Sequence, residues 1–354
     1  MKVLTIIGAR PQFIKAVVVS NEFKKSNIDE IILHTGQHFD NNMSDIFFEQ
    51  LNLNKPHYNL NINSLSHGAM TGRMLEQIEE KIVFIKPDLV LVYGDTNSTL
   101  AGALAAKKQY VKVAHIEAGL RSFNMNMPEE INRILTDRIS DFLFCPTEKA
   151  IINLKEEGFD SFKANIYLSG DVMKDSALYF SNFSKKPNFE IPQNYNLCTI
   201  HREENTNDTK KLEEILYALN IISKQNPVIL PLHPRTKNII NNNLPKFKNI
   251  IFCEPLGYLE MIYLIKNSKI VFTDSGGLQK ESYFFQKPSL ILRNETEWIE
   301  LVKAGYAKIV GSDKNTILDS FNFFMNNEVN FDKKLYGDGK ASQFIVEQII
   351  NNLK

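Results

Sequence analysis

The sequence predicts an α/β protein made of two doubly wound domains with a cleft between them. Three observations point there. Short β-branched runs alternate with helical patterns, the alternation restarts after a polar, proline-containing stretch, and 354 residues exceed what one core usually supports. The first series of runs covers residues 3–7, 30–34, 89–93, 111–115, 142–145 and 165–168. Residues 180–196, with Pro187 and Pro192, read as the linker. The second series covers 197–200, 228–231, 249–252, 269–272, 289–292 and 307–310. The expected boundaries are therefore 1–175 and 190–335, with a last helix over 340–354 returning to the first domain. Sheets of this kind hold ligands at the carboxyl ends of their strands, so the interdomain cleft is the expected site.

Lysine plus arginine and aspartate plus glutamate number 41 each, so no net field draws the chain to nucleic acid or to an anionic membrane. The apolar start of the chain is broken by Gly8-Ala9-Arg10-Pro11 before a signal-peptide core or a membrane span is complete. Cys145, Cys198 and Cys253 are far apart and show no metal spacing, which suits small core residues in a reducing cytoplasm. No metal is expected.

Residues 269–272 feed Thr273-Asp274-Ser275-Gly276-Gly277, and a helical pattern follows. The glycines let the backbone approach an oxyanion, and first-turn N–H groups have no intrahelical partner. The segment reads as a cradle for a nucleotide diphosphate. Glu281 shares the helical face of Gly277 and can accept both hydroxyls of a ribose. The first turn, Gly8 to Lys15, lacks the glycine spacing of a dinucleotide site, which argues against a nicotinamide enzyme. Pro11 suits the first helical position, and Arg10 before it can grip a phosphate bidentately, with Lys15 further along.

Asp95 follows the run 89–93 and is either a chemical carboxylate or the cap of the next helix, a role also open to Thr96 or Ser98. Glu117 follows the next run, and Glu129 and Glu130 open a helix after Pro128. Carboxylates converging on one sheet edge raise one another's pKa values, and such a cluster can remove and return a proton at neutral pH. In the second domain His201 with Arg202, and His233 with Arg235, also follow strands. Two imidazoles without a third ligand suit phosphate binding or protonation of a leaving oxygen better than a metal. His34, His57, His67 and His115 are expected to be structural.

Taken in order, Gly8 to Lys15, Gly94-Asp95-Thr96, His115 to Arg121, Pro128 to Arg133, His201-Arg202-Glu203 and Asp274-Ser275-Gly276-Gly277 resemble the non-hydrolysing UDP-N-acetylglucosamine 2-epimerase family over nearly the whole chain. Residues 35–44 and 293–298 look most like the branch acting on UDP-2,3-diacetamido-2,3-dideoxy-glucuronate, which serves surface polysaccharide synthesis. The resemblance implies a glycosyltransferase-B-like pair of Rossmann-type domains, a homodimer, a UDP-sugar substrate and no cofactor. It implies that UDP leaves C1 to give a glycal and adds back after C2 is protonated on the other face. By position it makes Asp95, Glu117 and Glu129 catalytic carboxylates and His201 the catalytic histidine. Arg10, Ser275, Gly276, Gly277 and Glu281 would hold UDP, with Lys15, His233 and Arg235 joining the site. Arg121, Arg202 and Arg293 are candidates to pair a uronate carboxylate. Two departures are expected to lie near the sugar. Gln12 stands where the better-known branch has glutamate, and the segment 121–127 is shorter. The rival readings are a hydrolysing relative, a glycosyltransferase of the same architecture and a nucleotide-sugar sensor without chemistry.

Overall fold

A computed structural model describes residues 1–37, 55–232, 236–237, 239 and 246–353. The chain divides into two compact units, Met1–Ser176 together with Tyr336–Lys354, and Ala177–Leu335.

Along the first unit run β1 (Lys2–Ile7), α1 (Arg10–Lys25), β2 (Asp29–His34), β3 (Tyr58–Asn59), α2 (His67–Ile85), β4 (Leu89–Tyr93) and α3 (Asn97–Lys108). Then come β5 (Lys112–Ile116), α4 (Pro128–Ile139), β6 (Phe142–Cys145), α5 (Glu148–Glu156), β7 (Asn165–Leu168) and α6 (Val172–Ser181), whose second half falls in the second unit. Among the described residues the strands form one sheet in the order β3-β2-β1-β4-β5-β6-β7, and every pairing is parallel. Leu4 of β1 pairs with both Ile31 of β2 and Val90 of β4. All five residues of β4 are buried, as the unbroken apolar run requires of a strand covered on both faces.

The second unit contributes β8 (Asn196–Thr199), α7 (Glu203–Thr206), α8 (Thr209–Ile222), β9 (Val228–Pro231), β10 (Ile251–Cys253), α9 (Tyr258–Asn267) and β11 (Val271–Thr273). It continues with α10 (Gly276–Phe284), β12 (Ser289–Ile291), α11 (Ile299–Lys303), β13 (Ala307–Ile309) and α12 (Lys314–Asn326). Its described strands are again parallel, in the order β10-β9-β8-β11-β12-β13. In both sheets β-strands flank the first strand of the unit on both sides, the doubly wound order that makes a carboxyl-edge crevice. The last helix, α13 (Ala341–Leu353), belongs to the first unit. Buried Asp175 caps it, accepting from Ala341 N at 3.1 Å, Ser342 N at 2.7 Å and Ser342 Oγ at 2.6 Å.

Every run read from the sequence is a strand, with ends shifted by one or two residues. The short strand β3 lacks an apolar run and carries no such signal. Pro11 sits at the second helical position, since α1 starts at Arg10. The thiols of Cys145 and Cys198 are fully buried, and burial pushes both up, while that of Cys253 rises to about 12 for the same reason. Among the described residues no helix is long and apolar enough to cross a membrane.

Candidate active site

The first unit gathers charge at the carboxyl ends of β4 and β5. Thr96 caps α3, its side chain accepting from Thr99 N, so Asp95 is not spent on the cap. Its carboxylate instead meets the Arg133 guanidinium on α4. Asn132 holds the same turn, donating to Asp95 O at 2.9 Å and to Asn97 Oδ1 at 3.1 Å. Burial raises the Asp95 carboxyl, Arg133 pulls it down, Glu117 pushes it up and Lys15 lowers it, with a net rise. Glu117 follows β5 with a left-handed φ of 72°, a conformation that costs about 1–3 kcal/mol in a residue with a side chain and tends to cluster at functional sites. Its carboxylate pairs with Lys15 of α1, and both side chains are buried. Asp95, Glu117 and Lys15 thus form one interacting cluster, with Arg133 at its side.

Glu129 and Glu130 part ways. Glu130 is fully buried and pins the loop before α4, accepting from Ser122 N, Ser122 Oγ and Phe123 N, each at 2.9 Å, with Arg133 Nη1 at 3.1 Å. Glu129 is exposed on the first turn of α4 and makes no hydrogen bond or ion pair among the described residues. Arg121 supports the loop: it is bidentate to Glu157 at 2.6 and 2.8 Å and donates to Asp137 at 2.7 Å, with its side chain fully buried. As a partner for a substrate carboxylate it is therefore already taken. Asp137 also accepts from Gly119 N at 3.0 Å and faces His115 Nδ1 at 2.7 Å, while His115 Nε2 donates to Gly94 O at 2.7 Å. Burial raises the Asp137 carboxyl, but His115 and Arg121 more than reverse this and leave it low. His115 is structural, with the added task of holding the residue before Asp95.

Gln12 has a part in the protein's own turn. It is buried, its Oε1 accepts from Gly8 N at 2.7 Å and Ala9 N at 3.0 Å, and its Nε2 donates to Tyr93 O at 2.7 Å. The amide closes the turn that presents Arg10, and its donor end needs a hydrogen that a carboxylate lacks. Arg10 itself is the first residue of α1.

In the second unit the ends of β8 and β11 meet through Asp274, which is fully buried. It accepts from His201 N at 3.0 Å, Arg202 N at 2.9 Å and Asn205 Nδ2 at 3.1 Å, and it lies 3.1 Å from His201 Nδ1. Burial raises the Asp274 carboxyl, and the His201 ring and the two backbone donors more than offset that, so the net shift is downward. Asp274 stands in the stretch from Thr273 to Gly277, where spacing along the chain gives no sign that its side chain meets His201. The Arg202 guanidinium makes no hydrogen bond or ion pair among the described residues, whereas Arg293 donates to Glu297 at 2.8 Å.

Ser275 precedes α10 without capping it by its side chain, so the first-turn N–H groups are not consumed by that hydroxyl. A Cβ at Gly276 would come within 2.3 Å of Glu297 Oε1, and Trp298 Nε1 donates to Gly276 O at 2.9 Å. A Cβ at Gly277 would meet nothing closer than 4.0 Å. The protein packs against the first glycine and leaves the second open. Glu281 lies further along α10 and is buried. His233 and Arg235 lie outside the described residues.

The family described as UDP-N-acetylglucosamine 2-epimerase matches residues 21–350. A UDP-2,3-diacetamido-2,3-dideoxy-D-glucuronate 2-epimerase of Pseudomonas aeruginosa is 54% identical over 352 residues, covering 99% of each chain. The crystal structure of a Methanocaldococcus jannaschii UDP-GlcNAc 2-epimerase in complex with UDP-GlcNAc and UDP superposes with a TM-score of 0.85 at 41% identity, over 99% of this chain and all of that one. A Neisseria meningitidis UDP-GlcNAc 2-epimerase bound to UDP-GlcNAc gives 0.86 at 34% identity, over 99% and 100%. With its two parallel sheets, its paired acids after β4 and β5 and this similarity along nearly its full length, the chain belongs to the UDP-N-acetylglucosamine 2-epimerase family.

Proposed function

We propose that the protein inverts C2 of UDP-2,3-diacetamido-2,3-dideoxy-D-glucuronate. The observation that carries the substrate is the 54% identity, end to end, with the relative of that name. A carboxylate takes the C2 proton, the C–H pair becomes the C1–C2 double bond, and the C1–O bond breaks with its electrons on UDP. Protonation of C2 on the opposite face and return of UDP to C1 complete the inversion, so atoms balance and no oxidant is needed.

Glu117, paired with Lys15, is assigned to accept the proton, and Asp95, with its raised carboxyl, to give one back. The two exchange roles in the reverse direction. Glu129 stays in the reading as a third carboxylate on the family's pattern. The departing diphosphate needs donors already in place, because stabilising developing charge lowers the barrier most. That role falls to Arg10, His201, Arg202, His233, Arg235 and Ser275 and to the first-turn N–H groups of Gly276 and Gly277, with Glu281 on the ribose; the Ser275 N–H itself is held by Thr273 Oγ1 at 3.0 Å. The same reading makes the protein a cytoplasmic homodimer in surface polysaccharide precursor synthesis. Exposed Phe123, Met125, Ile131 and Leu135 on and before α4 support a face covered by a second copy.

Proton NMR in deuterated buffer tests the reading with this substrate and with UDP-N-acetylglucosamine. Deuterium entering C2, a new manno-configured UDP-sugar and little free UDP are expected. Stoichiometric free UDP would move the protein to the hydrolysing chemistry, and binding without exchange would leave a sensor.

A further inference from the structure

We infer that Asp274 is a positioning residue that fixes the tautomer of His201, holding the proton on Nδ1 so that the ring works through Nε2. The inference rests on the reading of His201 as the group that meets the leaving diphosphate.

The geometry is specific. Asp274 Oδ2 collects three amide donors, His201 N at 3.0 Å, Arg202 N at 2.9 Å and Asn205 Nδ2 at 3.1 Å. Oδ1 is the oxygen that faces His201 Nδ1, at 3.1 Å, with His201 N a longer 3.2 Å away. A carboxylate accepts and does not donate, so the hydrogen in that contact belongs to Nδ1. A buried carboxylate that orients an imidazole through Nδ1 selects which ring nitrogen does the chemistry. Asp274 has no solvent exposure, whereas 42% of the His201 side chain is exposed. The orienting carboxylate is thus buried in the protein while the imidazole it orients is partly exposed.

Asp274 also begins the turn that leads into Ser275 and Gly276 of the anion cradle. Asn205 extends the tie by donating to Leu292 O at 2.8 Å, at the end of β12. One side chain therefore registers the histidine against the cradle, and Asp274 itself neither gains nor loses a proton in the reaction.

The isostere Asp274→Asn separates orientation from packing. Its amide oxygen is expected at the Oδ2 position, where three donors converge, which turns its NH2 toward His201 Nδ1. Nδ1 must then accept, and the ring proton moves to Nε2.

The test is a long-range proton–nitrogen correlation spectrum of the 15N-labelled full chain at a pH where His201 is neutral, with the His201→Gln spectrum assigning the peak. Wild type should carry the proton on Nδ1 and Asp274→Asn on Nε2. Turnover of Asp274→Asn should fall about a hundredfold or more, while UDP affinity changes far less. Asn205→Ala, which removes another Asp274 partner, should keep the wild-type tautomer. A wild-type spectrum with the proton on Nε2 overturns the inference even if Asp274→Asn does not fold. An unchanged tautomer in Asp274→Asn, or equal losses of turnover in Asp274→Asn and Asn205→Ala, overturns it as well. The spectrum needs no activity, so a wild-type enzyme that fails to exchange C2 would sink the functional reading separately.

Discussion

The ammonium of Lys15, on the first helix, closes onto the carboxylate of Glu117, at the end of β5, with their side chains only 10% and 8% exposed. The pair joins residues 102 positions apart and sets a strained glutamate beside Asp95. Taking away one member of a buried pair leaves the other charge uncompensated. Lys15→Met should therefore cost about 3 kcal/mol in urea unfolding, and turnover should fall with it. Unchanged stability would mean that Glu117 is supported from elsewhere.

The proposed chemistry needs one proton shared between Asp95 and Glu117. Asp95→Asn and Glu117→Gln should each lower turnover by about 10²–10⁴-fold, with UDP binding by calorimetry nearly unchanged. The pH profile has a definite sign. The Asp95 carboxyl is raised, so turnover should be sustained while that proton is present and should fall as pH rises through the raised value, where both acids are ionised. A profile flat through that range would remove Asp95 from proton transfer.

Asp137 behaves in the opposite sense. Its folded-state carboxyl is lowered, so its contribution to stability is present above the ordinary aspartate value of about 3.9 and is lost as pH falls from there through the lowered value. Asp137→Asn leaves Arg121 and His115 without a shared carboxylate and should cost about 3–5 kcal/mol at neutral pH. The gap between wild type and variant, followed by urea midpoints, should narrow on acidification. A gap independent of pH would show that packing, not charge, sets the cost.

Two glycines should respond differently to a single methyl. At Gly8 a Cβ would lie 2.1 Å from Ser98 Oγ and 2.3 Å from Thr35 Oγ1, so Gly8→Ala should lower stability by about 1–3 kcal/mol. At Gly277 the protein leaves room, so Gly277→Ala should melt close to wild type yet bind UDP at least about tenfold more weakly, a loss of about 1.4 kcal/mol. Full UDP affinity in Gly277→Ala would place the diphosphate elsewhere.

The two acids after β4 and β5 were legible because each directly follows an apolar run, and strand ends of a doubly wound sheet face one edge. The glycine turn before α10 was legible for a similar reason: a strand, a glycine pair and a helix start lie within one short stretch of chain. Local spacing could not tell Glu129 from Glu130, adjacent acids on the first turn of α4. The fold separates them, because one faces the loop donors of Ser122 and Phe123 and the other faces solvent.

Periodicity and turn chemistry are local, so the sequence by itself determined the strands, the doubly wound class, the acids after β4 and β5 and the glycine turn that opens α10. Partnerships between distant residues depend on how strands and helices are brought together, and only the tertiary structure decided those. It committed Arg121 to Asp137 and Glu157, closed Gln12 onto Tyr93, paired Lys15 with Glu117 and set Asp274 beside His201. A buried charge or amide must find partners wherever the chain supplies them, and no spacing along the sequence records where that is.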